Sequence, residues 1–248
     1  MDHLAHQQQT PMDNRTLMDV RADTLFTYDA WGRMVGSNEP DSRPAPRLFV
    51  GRTAGGCVVR FGQGVPDDVM HEVMAIVERE PAVGSLGAAD GLVIPASMRA
   101  ALREVLARDR PIEEEGGGPA YRFPETIVQP GGAVEVTDEN VELVRETHPW
   151  LFRDIATWGP CFVVLRDGVA ASICHASRIG ARALEAGVFT LPEYRGRGYA
   201  LAVTAAWGAA VGASGWVPIY STAWENLASQ GVARRLGLTM FGTDASWT

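Results

Sequence analysis

At 248 residues the chain holds one large domain or two small ones, and an apolar share of 46% is enough for a real core. A net charge of −8 argues against a general nucleic-acid binder, which needs a basic surface to displace counterions. Cys57, Cys161 and Cys174 are widely spaced, with neither a CxxC nor a zinc-ligand pattern, so no metal is expected and the thiols read as reduced ones in a cytoplasmic protein.

Met1 to Asn14 is polar and His/Gln-rich, without the charged-then-apolar pattern of a signal peptide. Val20 to Met34 carries scattered apolar residues that can form a helix, and Asn38 to Pro46, with three prolines, reads as a loop. Leu48–Val50 and Cys57–Phe61 predict two strands around the turn Ala54-Gly55-Gly56. Pro66-Asp67-Asp68 opens a helix with Val69, Val73, Ile76 and Val77 at helical spacing, stopped by Pro81. A second helix is predicted from about Ser97 to Ala107. Arg110 to Pro119, charged and then glycine-rich, reads as a linker or surface loop. Nothing in this half reads as catalytic; His71 reads as a surface or packing histidine.

From Ala133 the order becomes regular. Ala133–Val136 reads as a strand, and Thr137-Asp138 as the cap of a helix through about Glu146. A short helix begins at Pro149. Cys161–Leu165 and Val169–Arg178 read as strands joined at Asp167-Gly168, a strong hairpin turn, and Arg182–Thr190 as the next strand. Tyr199 to Tyr220 has no charged residue, but Gly208, Gly212, Gly215 and Pro218 interrupt it. The helix left is about sixteen residues, short of the ~20 a bilayer needs, so no membrane span is expected. A strand at Trp216–Tyr220, a helix from Asn226 to a glycine cap at Gly237, and a strand at Leu238–Phe241 complete the chain.

The most informative stretch is Glu185 to Ser214. A strand ending in Thr190 and a Leu191-Pro192-Glu193 turn lead into Arg195-Gly196-Arg197-Gly198-Tyr199-Ala200, and a helix of small residues follows. Strand, glycine turn and helix N-terminus leave backbone N–H groups free at the positive end of the helix dipole, and glycine lets a ligand approach the backbone. That combination suits a phosphate.

The pattern Arg-x-x-Gly-x-Ala after Thr-Leu-Pro-Glu-Tyr resembles the acetyl-coenzyme A pyrophosphate loop of the GCN5-related N-acetyltransferases (GNAT). A second block, Tyr220 to Leu238, resembles that family's Asn-x-x-Ser/Ala…Leu-Gly-Phe segment, and the order of elements from Ala133 to Phe241 is the family's. The resemblance implies an α/β (α+β) fold with a mixed, mostly antiparallel central sheet flanked by helices. It also implies acetyl-CoA as co-substrate, with no metal. Residues 131–248 would be the acetyltransferase domain, behind a poorly patterned segment (1–46) and a small α/β region (47–130) that by analogy can be a degenerate domain of the same shape.

The resemblance places the pyrophosphate on the backbone of Arg195, Gly196, Arg197, Gly198, Tyr199 and Ala200, and the pantetheine arm along the main chain of Val188, Phe189 and Thr190, with Asn226 and Ser229 nearby. Asn226 equally reads as a helix N-cap. Transfer to an amine needs a base, a polarised carbonyl and a stabilised thiolate. Glu185 is the first candidate base and His175, on the neighbouring strand, the second. Cys174 and His175 point to opposite faces and form no dyad. Many family members carry a tyrosine acid where this chain has Ala233, so Ser229 or Tyr220 would have to substitute. The acceptor is expected to be a small-molecule or peptide amine, held by the aromatic region Glu139–Gly159 (Trp150, Phe152, Trp158); homodimers are common in the family. The alternatives are a transferase of another acyl-CoA, one acylating a hydroxyl, and a catalytically inactive acyl-CoA-binding or sensor module. A Rossmann dinucleotide domain is discounted because Leu201 stands where the third glycine or alanine belongs.

Overall fold

The computed structural model describes residues 12–39, 43–80 and 89–248. In chain order these form α1 (Asn14–Leu25), β1 (Phe26–Tyr28), β2 (Met34–Ser37), β3 (Leu48–Thr53), β4 (Gly56–Phe61), α2 (Asp67–Arg79), α3 (Ala96–Asp109), β5 (Glu115–Arg122) and β6 (Val134–Val136). They continue with α4 (Pro149–Arg153), α5 (Ile155–Trp158), β7 (Cys161–Arg166), β8 (Val169–Ile179), β9 (Ala183–Thr190), α6 (Tyr199–Ala213), β10 (Val217–Ser221), α7 (Leu227–Arg235) and β11 (Thr239–Trp247). The predicted stop at Pro81 and part of the predicted loop at Asn38–Pro46 lie outside the described residues.

β1 and β2 form a separate hairpin, and the other nine strands make one sheet in the order β4-β3-β11-β5-β10-β9-β8-β7-β6. Every pair is antiparallel except β10 with β9. The expected mixed, mostly antiparallel sheet flanked by helices is therefore the observed one. Strands from the first and second halves of the chain ladder together: β5 lies between β11 and β10.

Helices cover both faces. On one, α1 packs across the middle through Leu17, Met18 and Leu25 against Phe49, Ile219 and Phe241, and α4 and α5 cover the β8–β7–β6 end through Leu151 and Ile155. On the other, α2 and α3 seat Val73, Met98 and Leu102 on Leu48, Val50 and Trp247, and α6 seats Val203, Trp207 and Val211 on Val164, Cys174 and Leu184. Each buried large apolar side chain contributes about 1.5–3 kcal/mol, so this second layer, with Trp207 and Trp247 fully buried, is a main source of stability.

The structure overturns two readings of local sequence. The glycine-rich stretch expected as a linker is β5, an interior strand: the backbone of Asp244 and Thr222 comes so close that a Cβ would sit 2.2 Å from the Asp244 oxygen at Gly117 and 1.9 Å from the Thr222 oxygen at Gly118. The glycines there serve close strand approach rather than flexibility. The helix expected from Thr137 to Glu146 is a single 3-10 turn, Val141–Val144. The Asn140 amide ties back to the Glu135 carbonyl and the Thr137 N–H, and the prolyl residue Pro149 disfavours helix at His148, so the segment is pinned at both ends. Val20–Met34, read as able to form a helix, holds the end of α1, then β1 and the start of β2. The other predicted strands and helices are present within a few residues, except that the last strand, expected at Leu238–Phe241, runs on to Trp247.

Candidate functional site

The site is built where two parallel neighbours part. β9 and β10 pair only over Ala183–Glu185 and Val217–Ile219. Beyond that, Ala186–Thr190 keeps β8 on one edge and, among the described residues, has no strand on the other. A cavity of about 450 Å³ fills the opening on the α6 side. Val188, Phe189 and Thr190 form one wall; Tyr220, Asn226 and Ser229 form the opposite one.

At the mouth lies the glycine turn. Gly196 and Gly198 have φ of 75° and 83°, and Gly198 is the N-cap of α6 without any side-chain cap. A Cβ at either glycine would meet nothing within 4 Å, so it is the left-handed backbone, rather than crowding, that favours glycine. The uncapped first-turn N–H groups of this fifteen-residue helix sit at the cavity wall formed by Gly198, Tyr199 and Ala200. Arg195 and Arg235 add charge, and the Arg195 Nε donates to the Thr190 carbonyl at 3.1 Å. Arg166 stacks on Tyr199 and donates to its hydroxyl at 2.9 Å, which lowers that phenol's pKa.

Ten of the eleven residues expected to hold the coenzyme therefore line one cavity: Val188, Phe189, Thr190, Arg195, Gly196, Gly198, Tyr199, Ala200, Asn226 and Ser229. Arg197 does not; its guanidinium lies 5.6 Å from the Tyr194 ring centre. Asn226 also caps α7, accepting from the Ser229 N–H at 3.0 Å, so the N-cap reading holds as well. Sequence reasoning missed Arg235 and Tyr194, whose places in the wall no local pattern shows.

The two candidate bases are elsewhere. Glu185 points to the opposite face, 2% exposed, where its carboxylate accepts from Arg21 Nε at 3.3 Å, Arg178 Nη1 at 3.1 Å and Ser221 Oγ at 2.6 Å. Burial alone would raise its pKa, but the two guanidiniums and the hydroxyl outweigh burial and hold it below the usual carboxylate range. A carboxylate so held is a poor proton acceptor, which disagrees with its expected role as the base. His175 lies on the same face with its ring over Gly187 and edge-on to Trp150, 5.0 Å between centres. Its Nδ1 is buried without a hydrogen-bond partner, and burial, reinforced by His148, lowers its pKa to about 4. Trp150 packs in turn on Trp158, and Phe152 under Arg145, so the expected acceptor aromatics are engaged with one another and with neighbours.

The two candidate acids, Ser229 and Tyr220, both line the cavity between β9 and β10. The Tyr220 hydroxyl donates to the Ser229 carbonyl at 3.3 Å, and burial pushes its pKa up to about 12. Ala233 is fully buried and offers no proton. Among the described residues no three His, Cys, Asp or Glu side chains are grouped to hold a metal ion, and no helix is long and apolar enough to cross a membrane.

Comparison with known proteins adds a family. The GNAT acetyltransferase family model matches residues 152–243. Among solved structures, a GNAT-family protein from Novosphingobium aromaticivorans is 22% identical with a TM-score of 0.45, over 55% of this chain and 65% of that one. An acetyltransferase of the GNAT family from Colwellia psychrerythraea is 13% identical with a TM-score of 0.46, over 80% of each chain. An aminoglycoside N-acetyltransferase in complex with CoA is 24% identical with a TM-score of 0.36, over 44% of this chain and 92% of that one. The curated proteins give no match. The segment matched by the GNAT acetyltransferase family model contains the parting strands, the glycine turn and both helices of the cavity, so the C-terminal region of this chain is similar to that family where the cavity is built.

Proposed function

We propose that the protein is an acyl-CoA-dependent N-acetyltransferase that passes acetyl from acetyl-CoA directly to a primary amine in a ternary complex. The observation that carries this reading is the cavity between β9 and β10, lined by ten residues expected from the coenzyme motifs alone. In it, the α6 N-terminus, Arg195 and Arg235 hold the phosphates, and the unpaired edge of Ala186–Thr190 takes the amides of the pantetheine arm. The coenzyme supplies the activated thioester. The amine nitrogen bonds to the carbonyl carbon, the carbon–sulfur bond breaks, and the thiolate takes a proton from the Tyr220 hydroxyl, whose strongly basic phenolate at once regains one from the water that carries off the proton of the nitrogen.

Neither candidate base is strong at neutral pH. Glu185 is ion-paired and His175 titrates near 4. On this reading the acceptor arrives as the free amine, and water carries away the proton lost from nitrogen. The same observation, with Ala233 in the usual acid position, favours a second reading, an inactive acyl-CoA-binding module; release of coenzyme A thiol above background across an amine panel decides for the enzyme.

The primary test is thermal stability with acetyl-CoA, coenzyme A and NADP, for the wild type and Gly198→Glu. Selective binding raises stability by about 2.7 kcal/mol at a hundredfold excess over Kd. A rise with acetyl-CoA that the variant loses is the expected result; no rise with any of the three overturns the proposal.

A further inference from the structure

A second cavity, of about 290 Å³, lies on the other face of the sheet at the same opening. Tyr220 and Ser221 are consecutive on β10 and point to opposite faces: Tyr220 lines the first cavity and Ser221 the second. Glu185, in the wall of the second cavity, is the last residue of β9 that pairs with β10. The two cavities thus adjoin the point at which the strands separate. The outer wall comes from the first half of the chain, from Arg21, Leu25 and Phe26 of α1 and β1 and from Ser37, Glu39 and Arg43 beyond them. It does not come from Glu139–Gly159, where acceptor contacts were expected.

We propose that this second cavity is the acceptor site and that it takes a small amine that also bears a carboxylate, such as an amino acid. The proposal rests on the acyltransferase reading above. With the coenzyme filling the α6 side, an attacking nitrogen reaches the carbonyl carbon from the other face, at the roughly 3–3.5 Å that reaction requires. Ser221 and Glu185 are the polar groups of the second cavity at that point.

Charge selects the class of acceptor. Across the cavity floor runs an alternating row: Asp244, Arg21, Glu185, Arg178, Glu39. At the rim stand Arg43 and Glu114, neither with an ion-pair partner among the described residues. A polyamine would meet the guanidiniums of Arg21, Arg178 and Arg43 here, and a dicarboxylate the carboxylates of Asp244, Glu185, Glu39 and Glu114. A molecule with one charge of each sign complements both sets. Arg43, exposed and planar, offers the fork that a carboxylate accepts in two parallel hydrogen bonds. The small volume and the roof formed by α1 suit a free small molecule.

The test is a turnover panel at saturating acetyl-CoA: the common amino acids, the amide of each, and putrescine, with thiol release as the readout, for wild type and Arg43→Ala. Coenzyme A binding is measured alongside by calorimetry. At least one amino acid is expected to exceed its own amide by tenfold or more in kcat/KM. Arg43→Ala should erase that preference by raising KM for the acid and leaving KM for the amide and the coenzyme Kd unchanged. Preference for putrescine or for the amides, an undiminished preference in Arg43→Ala, or coenzyme binding with no amino acid turned over would each overturn the acceptor assignment. Absence of coenzyme binding would instead overturn the acyltransferase reading beneath it.

Discussion

The hydroxyl of Ser221 donates to Glu185 Oε1 at 2.6 Å, joining β10 to β9 at the point where the two strands part. With Arg21 and Arg178 on the same carboxylate, the contact pins the base of the opening and ties α1 to the sheet. Glu185 therefore acts as a structural anchor of the site.

Glu185→Gln should cost about 3–5 kcal/mol in urea unfolding, because it leaves two guanidiniums, one of them buried, short of a counter-charge. Its pH dependence has a definite sign. The folded pKa lies below the unfolded value near 4.5, so the stabilisation is complete above pH 4.5 and is lost as pH falls through the depressed value. The variant should show a shallower acid limb than wild type. Asp244 works in the opposite direction, since burial outweighs Arg21 and raises its pKa. A variant that keeps both full stability and the full acid limb would exclude the anchoring role.

His175 should titrate near pH 4 by NMR, against an ordinary 6.5. The unfolded chain binds the proton first, so the protein loses about 3 kcal/mol of stability as pH falls from 6.5 to 4. His175→Gln should flatten stability across that window. A titration midpoint near 6.5 would contradict the buried, unpartnered ring.

If no side chain acts as a strong base, kcat/KM should rise about tenfold per pH unit up to the pKa of the acceptor amine, following its free fraction. An acid limb set by the enzyme and abolished in His175→Gln would assign the base to that residue instead.

Tyr220→Phe should lower kcat by roughly tenfold, less than the 10²–10⁴ of obligatory acid catalysis, because a thiolate is a tolerable leaving group. The KM for acetyl-CoA should stay near the wild-type value. A variant as fast as wild type would move the proton donor to Ser229 or to water.

Gly118→Ala should cost about 3 kcal/mol, the upper end for overpacking, since its methyl group would sit 1.9 Å from the Thr222 oxygen. Gly198→Ala has open space around it and should cost only the ~1–2 kcal/mol of left-handed backbone. Equal losses in the two variants would show that crowding does not distinguish these glycines.

The cavity between β9 and β10 was largely legible in the sequence because its parts are local. The turn from Arg195 to Ala200, the strand before it and the helix after it are contiguous, and glycine at 196 and 198 reports the positive φ that the turn requires. Asn226 and Ser229 lie within one helical turn. What stayed hidden depends on contacts between distant segments. Gly116-Gly117-Gly118 reads as a linker until the backbone of Asp244 and Thr222 is seen against it. Glu185 reads as a free strand carboxylate until Arg21, 164 positions earlier, reaches it.

Sequence alone determined most secondary elements from Cys161 onward and the glycine turn between β9 and α6, since each follows from periodicity and backbone preference over a few consecutive residues. Only the tertiary structure decided that strands of both halves share one sheet, that Glu185 is neutralised, and that the N-terminal half walls a second cavity at the parting strands. Those outcomes are set by which charges and glycines meet across the sheet, and no local pattern carries that information.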